Sequence, residues 1–196
     1  WYSDYTIREY IRNFIMSKLE TNTIDNISGS STLTIGDSNT STITLKSGAT
    51  LTNFPDNTPA FRAYMGATQT ISTASGTKLN FNTESYDTGS NYDTSNYRFL
   101  PTTAGKYLIT ASVRLSGAVT ITNVQLYIYK NGSMYNRNTQ GFNGDSSPMI
   151  TNTDTIEMNG SSDYIEMYFY HNQGSNLDIS GSVSNTYFNG FRIIGA

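Results

Sequence analysis

The sequence contains no cysteine. That excludes disulfide staples, thiol nucleophiles and thiolate metal sites. Histidine occurs once, at His171, so zinc sites of the usual composition are excluded as well. A general base needs an orienting partner, and nothing in the sequence suggests one for His171. Lying at the end of an alternating apolar stretch, His171 reads as a surface or interface residue. Charge is sparse: 12 basic against 15 acidic residues, a net charge of −3. Without a basic stripe there is no electrostatic footprint for nucleic acid. No apolar run approaches the ~18 residues that cross a bilayer, so no membrane insertion is expected. The chain starts on Trp1 with no secretory apolar segment, and is read as processed or as an excerpt of something longer.

Motifs of catalysis are missing too. There is no G-x-S-x-G elbow, no P-loop and no G-x-G-x-x-G. Glu157 and Glu166 flank a turn, a thin basis for glycosidase chemistry. Asp87, Asp93, Asp145 and Asp163 are loop acids without an EF-hand spacing, so no metal is assigned. Asn26, Asn39, Asn131 and Asn159 begin N-x-S/T sequons, as several would by chance in a chain this rich in Asn, Ser and Thr. The expectation is a protein that is not an enzyme and carries no cofactor.

What is abundant is Thr, Ser, Asn, Gly and, above all, tyrosine, 15 residues of it. Thr and Tyr suit exposed β-structure, and Asn and Gly suit the turns between strands. An aromatic content of 13% argues against disorder.

Three segments follow one another. In residues 1–20, Ile7, Tyr10, Ile11, Phe14, Ile15 and Leu19 recur at helical spacing, predicting an amphipathic helix. A helix this short is marginal alone, so its stripe needs a partner. Either it serves attachment or trimerisation, with Ile7, Ile11, Phe14 and Ile15 as contacts, or it folds onto its own domain. Residues 21–58 repeat a Thr/aliphatic alternation at Ser31–Ile35, Ser41–Leu45 and, more weakly, Ala49–Thr52. Period-2 strands with one aliphatic in two cannot build a core from one chain. Three copies wound about an axis would bury them, as in the shafts of viral fibres; the alternative is a loose Ser/Thr linker.

From about Pro59 the pattern is that of many short strands with turn signals, a sandwich or jelly roll. Phe61–Met65, Thr77–Asn82 and Lys106–Leu115 are predicted strands. Residues 116–122 read as a loop or short strand, and 136–152 as a long polar loop leading into another strand. Asn131-Gly132 predicts a hairpin turn, since both residues tolerate φ > 0. Asn159-Gly160 reads as a second hairpin, joining Thr153–Met158 to Tyr164–His171. In the strands beside these turns Val124, Leu126, Ile128, Ile165, Met167 and Phe169 form the expected core faces. Their opposite faces carry Tyr127, Tyr129, Tyr168 and Tyr170. Rigid aromatics with a polar tip are typical of interfaces.

One stretch carries a further pattern. Phe81, Asp87, Tyr92, Phe99, Gly105 and Tyr107 fall at fixed intervals, and Phe188, Gly190 and Phe191 close the chain with F-x-G-F. This run resembles the signature of the complement C1q globular-head family, which shares a jelly roll with tumour necrosis factor; Ile109 stands where a further aromatic is usual. The resemblance covers about residues 59–196. It implies an all-β C1q/TNF-like jelly-roll head and a homotrimer packed through aromatics, with Tyr127, Tyr129, Tyr168 and Tyr170 at the contact; the alternative is an exposed tyrosine face, such as a glycan platform. With the shaft-like repeat it implies a virion fibre or spike, of a phage or another virus. The N-terminal segment would join other virion proteins, and the head would adhere to a host or environmental glycan or protein through loops such as 85–96 and 136–150. Secreted, extracellular lectin-like recognition and purely structural capsid decoration are the alternatives.

Overall fold

The computed structural model describes Ser47 and residues 56–194. The expected N-terminal helix, with Ile7, Ile11, Phe14 and Ile15, and nearly all of the expected shaft lie outside the described residues. The chain divides into two units, Trp1–Leu51 and Thr52–Ala196, and every described strand belongs to the second.

These strands, in chain order, are β1 (Ala60–Tyr64), β2 (Gln69–Ile71), β3 (Thr77–Lys78), β4 (Thr83–Asp87), β5 (Tyr92–Asp93), β6 (Arg98–Phe99), β7 (Gly105–Arg114), β8 (Ala118–Lys130), β9 (Ser133–Ser146), β10 (Met149–Met158), β11 (Ile165–His171), β12 (Leu177–Ile179) and β13 (Tyr187–Arg192). One sheet has the order β10-β7-β13-β1-β4, and a second has β5-β6-β11-β8-β9 with β3 also on β11. A short pair, β12-β2, forms a third sheet, tied to the end of β7 by the Ser180 amide on the Arg114 carbonyl and the Ser116 amide on the Asp178 carbonyl. All pairings are antiparallel.

The alternation read from sequence decides the faces. Tyr107, Ile109, Ala111 and Val113 on β7 point inward, as do Val124, Leu126 and Ile128 on β8 and Ile165, Met167 and Phe169 on β11. Between the sheets sits an aromatic cluster. Phe61 of β1 stacks on Phe99 of β6 at 4.2 Å and on Tyr92 of β5 at 5.1 Å. Phe188 meets Phe61 edge-on at 4.8 Å, and Tyr107 meets Phe99 edge-on at 5.5 Å. Such geometries add to the area that the rings bury.

Most slots of the spaced signature have a physical task. Phe81, Tyr92, Phe99, Tyr107 and Phe188 are core rings. The Tyr92 hydroxyl donates to the Phe81 carbonyl at 2.8 Å, and the Tyr107 hydroxyl to the Thr103 carbonyl at 2.7 Å. Asp87 clips the loop between β4 and β5, accepting from the Gly89 and Tyr92 amides. Gly190 lies opposite both Phe61 and Ile109, where a Cβ would come within 2.6 Å of Ile109 Cδ1.

The structure corrects several expectations. Residues 136–152 are not a long loop, since β9 runs to Ser146 and β10 starts at Met149; of the loop or short strand read at 116–122, the strand holds, as the start of the long β8 at Ala118. β9 carries no alternation to mark it, because only its Phe142 is buried; pairing to β8 holds it in place. The loop expected to make contact at 136–150 is therefore mostly strand. Asn131-Gly132 does turn β8 into β9, with both residues at positive φ. Asn159-Gly160 makes no hairpin, because β10 belongs to the first sheet and β11 to the second. A turn signal reports local chain reversal, not which strands pair. His171 is fully buried rather than on the surface. Its Nε2 lies 3.2 Å from the Ile71 carbonyl, and the Gln173 amide donates to Nδ1.

β9 is an edge strand of its sheet and β10 an edge of the other. Side-chain amides bridge them: Asn138 donates to the Thr151 carbonyl and Asn136 to the Asp154 carboxylate. The β8–β9 ladder shifts register at three places.

Candidate interaction surface

Two outward faces emerge from these sheets. On the second sheet, the register sets side by side Asp93, Arg98, Glu166, Tyr129 and Met134. The next row holds Lys78, Tyr168, Tyr127 and Arg137, and the one after it Tyr170, Gln125 and Thr139. Tyr127, Tyr129, Tyr168 and Tyr170 thus come together, half-buried. Tyr129 and Tyr168 stack at 4.1 Å, and Tyr127 stands nearly perpendicular to Tyr129 at 5.9 Å.

The polar groups around these rings are ordered. Glu166 is only 7% exposed although it lies on the outward side. It forms an ion pair with Lys78. Arg98 lies over the Tyr164 ring at 5.1 Å. The Tyr127 hydroxyl donates to Gln125, whose amide donates to Asn123. Burial raises the Tyr168 hydroxyl above its ordinary range, helped by the nearby Glu166 carboxylate. Burial also raises Tyr127, and the Arg137 guanidinium partly offsets this.

On the first sheet the outward rows differ in chemistry. Ala60, Phe191, Leu108 and Thr155 lie in one row. Tyr64, Tyr187, Ser112 and Thr151 form another. Between them Arg62 crosses the Tyr187 ring at 4.6 Å and donates to the Val183 carbonyl. Phe191, a closing residue of the signature, is therefore on this face rather than in the core. Sequence reasoning missed the face because its apolar members are spread over three strands.

The candidate acids do not converge. Glu157 is on the outward side of the first sheet and Glu166 on that of the second, so they cannot share a substrate. Asp93 accepts from the Ser95 and Asn96 amides and the Asn96 side chain, which holds its carboxyl below the usual range. Asp163 accepts from Asn131 and the Asn159 amide, with Lys130 Nζ at 2.9 Å; these donors also lower its pKa. Among the described residues no three acids or histidines group as metal ligands would.

No protein-family model matches the chain. The Phage-like element PBSX protein XkdV of Bacillus subtilis strain 168 is 30% identical over 101 residues, 47% of this chain and 15% of its own length. The uncharacterized protein YqcC of the same strain is 31% identical over 133 residues, 60% of this chain and 34% of its own length. This chain thus spans about a third or less of the curated relatives it matches. Among solved structures, the PRD1 vertex protein P5 superimposes with a TM-score of 0.54 at 17% identity, covering 71% of this chain and 99% of that one. The globular domain of zebrafish complement 1qA gives 0.50 at 13% identity, covering 69% and 97%. Eiger TNF from S. frugiperda gives 0.50 at 9% identity, covering 72% and 96%. Two packed antiparallel sheets, a signature most of whose residues hold the core or a loop, and these superpositions lead to one conclusion: the chain has the all-β jelly-roll fold of the C1q/tumour necrosis factor heads.

Proposed function

We propose that this chain is a non-enzymatic component of a phage or phage-like particle, a homotrimeric fibre or spike at the virion surface whose head adheres to a host cell. One coincidence carries the reading. Sequence similarity points to a phage-like element protein, while the fold is one that a phage vertex protein shares. In this reading residues 1–58 join the head to other virion proteins. Three heads on one stalk would multiply weak contacts into an avidity of about 10²–10⁴ over a single site.

Two faces compete for the contact between copies. The sequence favours the tyrosines at 127, 129, 168 and 170. The first sheet is favoured by a different observation: Phe191 and Leu108 lie in register, outward and without a polar tip. Apolar groups of that kind are what a copy–copy contact buries best. We place the trimer contact there.

Light scattering on the full chain tests both points. A trimer that Leu108→Glu with Phe191→Lys dissociates, and that Tyr168→Glu with Tyr170→Lys leaves intact, supports this arrangement. The reverse pattern returns the contact to the tyrosines, and a monomeric wild type removes the fibre reading. Binding of fluorescent chain to Bacillus subtilis cells tests adhesion; an unlabelled cell population counts against it.

A further inference from the structure

We propose that the tyrosine face of the second sheet binds carbohydrate, specifically neutral pyranosides of a surface polysaccharide. This rests on the adhesion reading and names its ligand class.

The chemistry of the face selects the ligand. The aromatic residues here are Tyr127, Tyr129, Tyr164, Tyr168 and Tyr170, all tyrosine, with no Phe or Trp. A pyranose has a face of weakly positive C–H groups and a rim of hydroxyls. The first suits the negative face of an aromatic ring, and the second suits ring hydroxyls and their polar neighbours. Those neighbours stand in place: the Gln125 amide, the Lys78–Glu166 pair, and the Arg98 and Arg137 guanidiniums. Glu166 is a fixed acceptor, because burial and Lys78 hold it.

The same features disfavour a protein partner. Met134, at the rim, is the one aliphatic side chain among the residues of these rows. A second copy laid here would have to match five hydroxyls and an ion pair or suffer their desolvation. A sugar brings its own hydroxyls. Charge narrows the class further, since Lys78, Arg98 and Arg137 face Glu166 and Asp93, close to balance. That suits a neutral glycan rather than a polyphosphate.

The geometry lowers the cost of binding. Four of the rings, at 127, 129, 168 and 170, stand on β8 and β11, which pair in unbroken register from Ile165 to His171. Stacking of Tyr129 on Tyr168, with Tyr127 against the pair, leaves little side-chain freedom to lose.

Native affinity electrophoresis of the full chain tests the proposal, in gels containing dextran, mannan, galactan or polyglycerol phosphate. At least one neutral polysaccharide should retard the wild type. The change Tyr127→Ser with Tyr168→Ser should weaken retardation about tenfold, equivalent to about 1.4 kcal/mol. Tyr127→Phe keeps the ring and the packing, and should weaken it about threefold through one lost hydrogen bond. Ser175→Ala, in the exposed stretch between β11 and β12 and on neither outward face, should change nothing. The proposal fails if no neutral polysaccharide retards the chain, if only polyglycerol phosphate does, or if the tyrosine variants run as the wild type. It fails equally if the serine variants turn the trimer into monomer. Binding of the wild type to cells, measured alongside, separates the two readings: retained, it leaves adhesion standing through another site; lost, it removes adhesion as well.

Discussion

Replacing Phe61 with alanine should cost this domain much of its stability, because the ring is where the two sheets meet. It has no exposure and contacts three other rings: Phe99 at 4.2 Å, Phe188 at 4.8 Å and Tyr92 at 5.1 Å. Truncating a buried phenylalanine to alanine costs about 3–5 kcal/mol in transfer and cavity terms. Aromatic pairs contribute about 0.5–1.5 kcal/mol each beyond area. The pocket cannot readily collapse, since β1 is held on both sides, by β13 and by β4. We therefore expect the upper end, about 5 kcal/mol, against a total of about 5–15 kcal/mol for a domain. At roughly 3 °C per kcal/mol for this size, the melting midpoint should fall by about 15 °C. Thermal and urea unfolding followed by circular dichroism measure it, with Tyr135→Ala on exposed β9 as the comparison, expected within about 0.5 kcal/mol of wild type. A Phe61→Ala loss below about 2 kcal/mol would refute the claim that this cluster is the packed centre.

Other outcomes rest on single residues. Gly160→Ala should destabilise by about 2 kcal/mol or more, because φ is +70° there and a Cβ would lie 2.3 Å from the Ala104 amide; urea midpoints check it. Tyr92→Phe should cost about 1–3 kcal/mol at neutral pH by stranding the buried Phe81 carbonyl. Burial, with Glu84 and Asp93 nearby, also holds the Tyr92 hydroxyl above its ordinary value, so its contribution is complete below about pH 10 and is lost as pH rises further. Wild type should therefore lose more stability than Tyr92→Phe above pH 10 in paired alkaline melts. Asp163→Asn works in the opposite direction. The depressed carboxyl stabilises above about pH 4 and less so as pH falls, so the variant should lose about 1–2 kcal/mol at pH 7 and converge on wild type in strong acid.

Much of the fold was legible because its strands are amphipathic in the simplest way. Val124, Leu126 and Ile128 alternate with Gln125, Tyr127 and Tyr129, and the structure buries the aliphatics and half-exposes the others. The spaced Phe81, Tyr92, Phe99 and Tyr107 could be found because each is a ring that the core requires. Edge strands left no such trace. β9 shows a single buried side chain among its 14 residues, so its stability lies in backbone pairing, which alternation does not record. The place of His171 was hidden for a related reason. Its buried ring is satisfied by the Ile71 carbonyl and the Gln173 amide, backbone groups that a side-chain pattern does not record. The apolar row of Ala60, Phe191 and Leu108 is assembled by register between strands far apart in the chain.

The asparagine bridges from β9 to β10 bear on how such heads behave when crowded. Bare strand edges are templates for adding further strands, and identical chains gathered at high local density are the worst case for fusing edge to edge. Here Asn136 and Asn138 reach across to the Asp154 carboxylate and the Thr151 carbonyl. Three register shifts in the β8–β9 ladder break the straight line that a neighbour's strand would need. On the β9–β10 side, then, the two sheets close on each other through side chains, and this pair of edges is a poorer template for a neighbour's strand than a straight, bare edge would be.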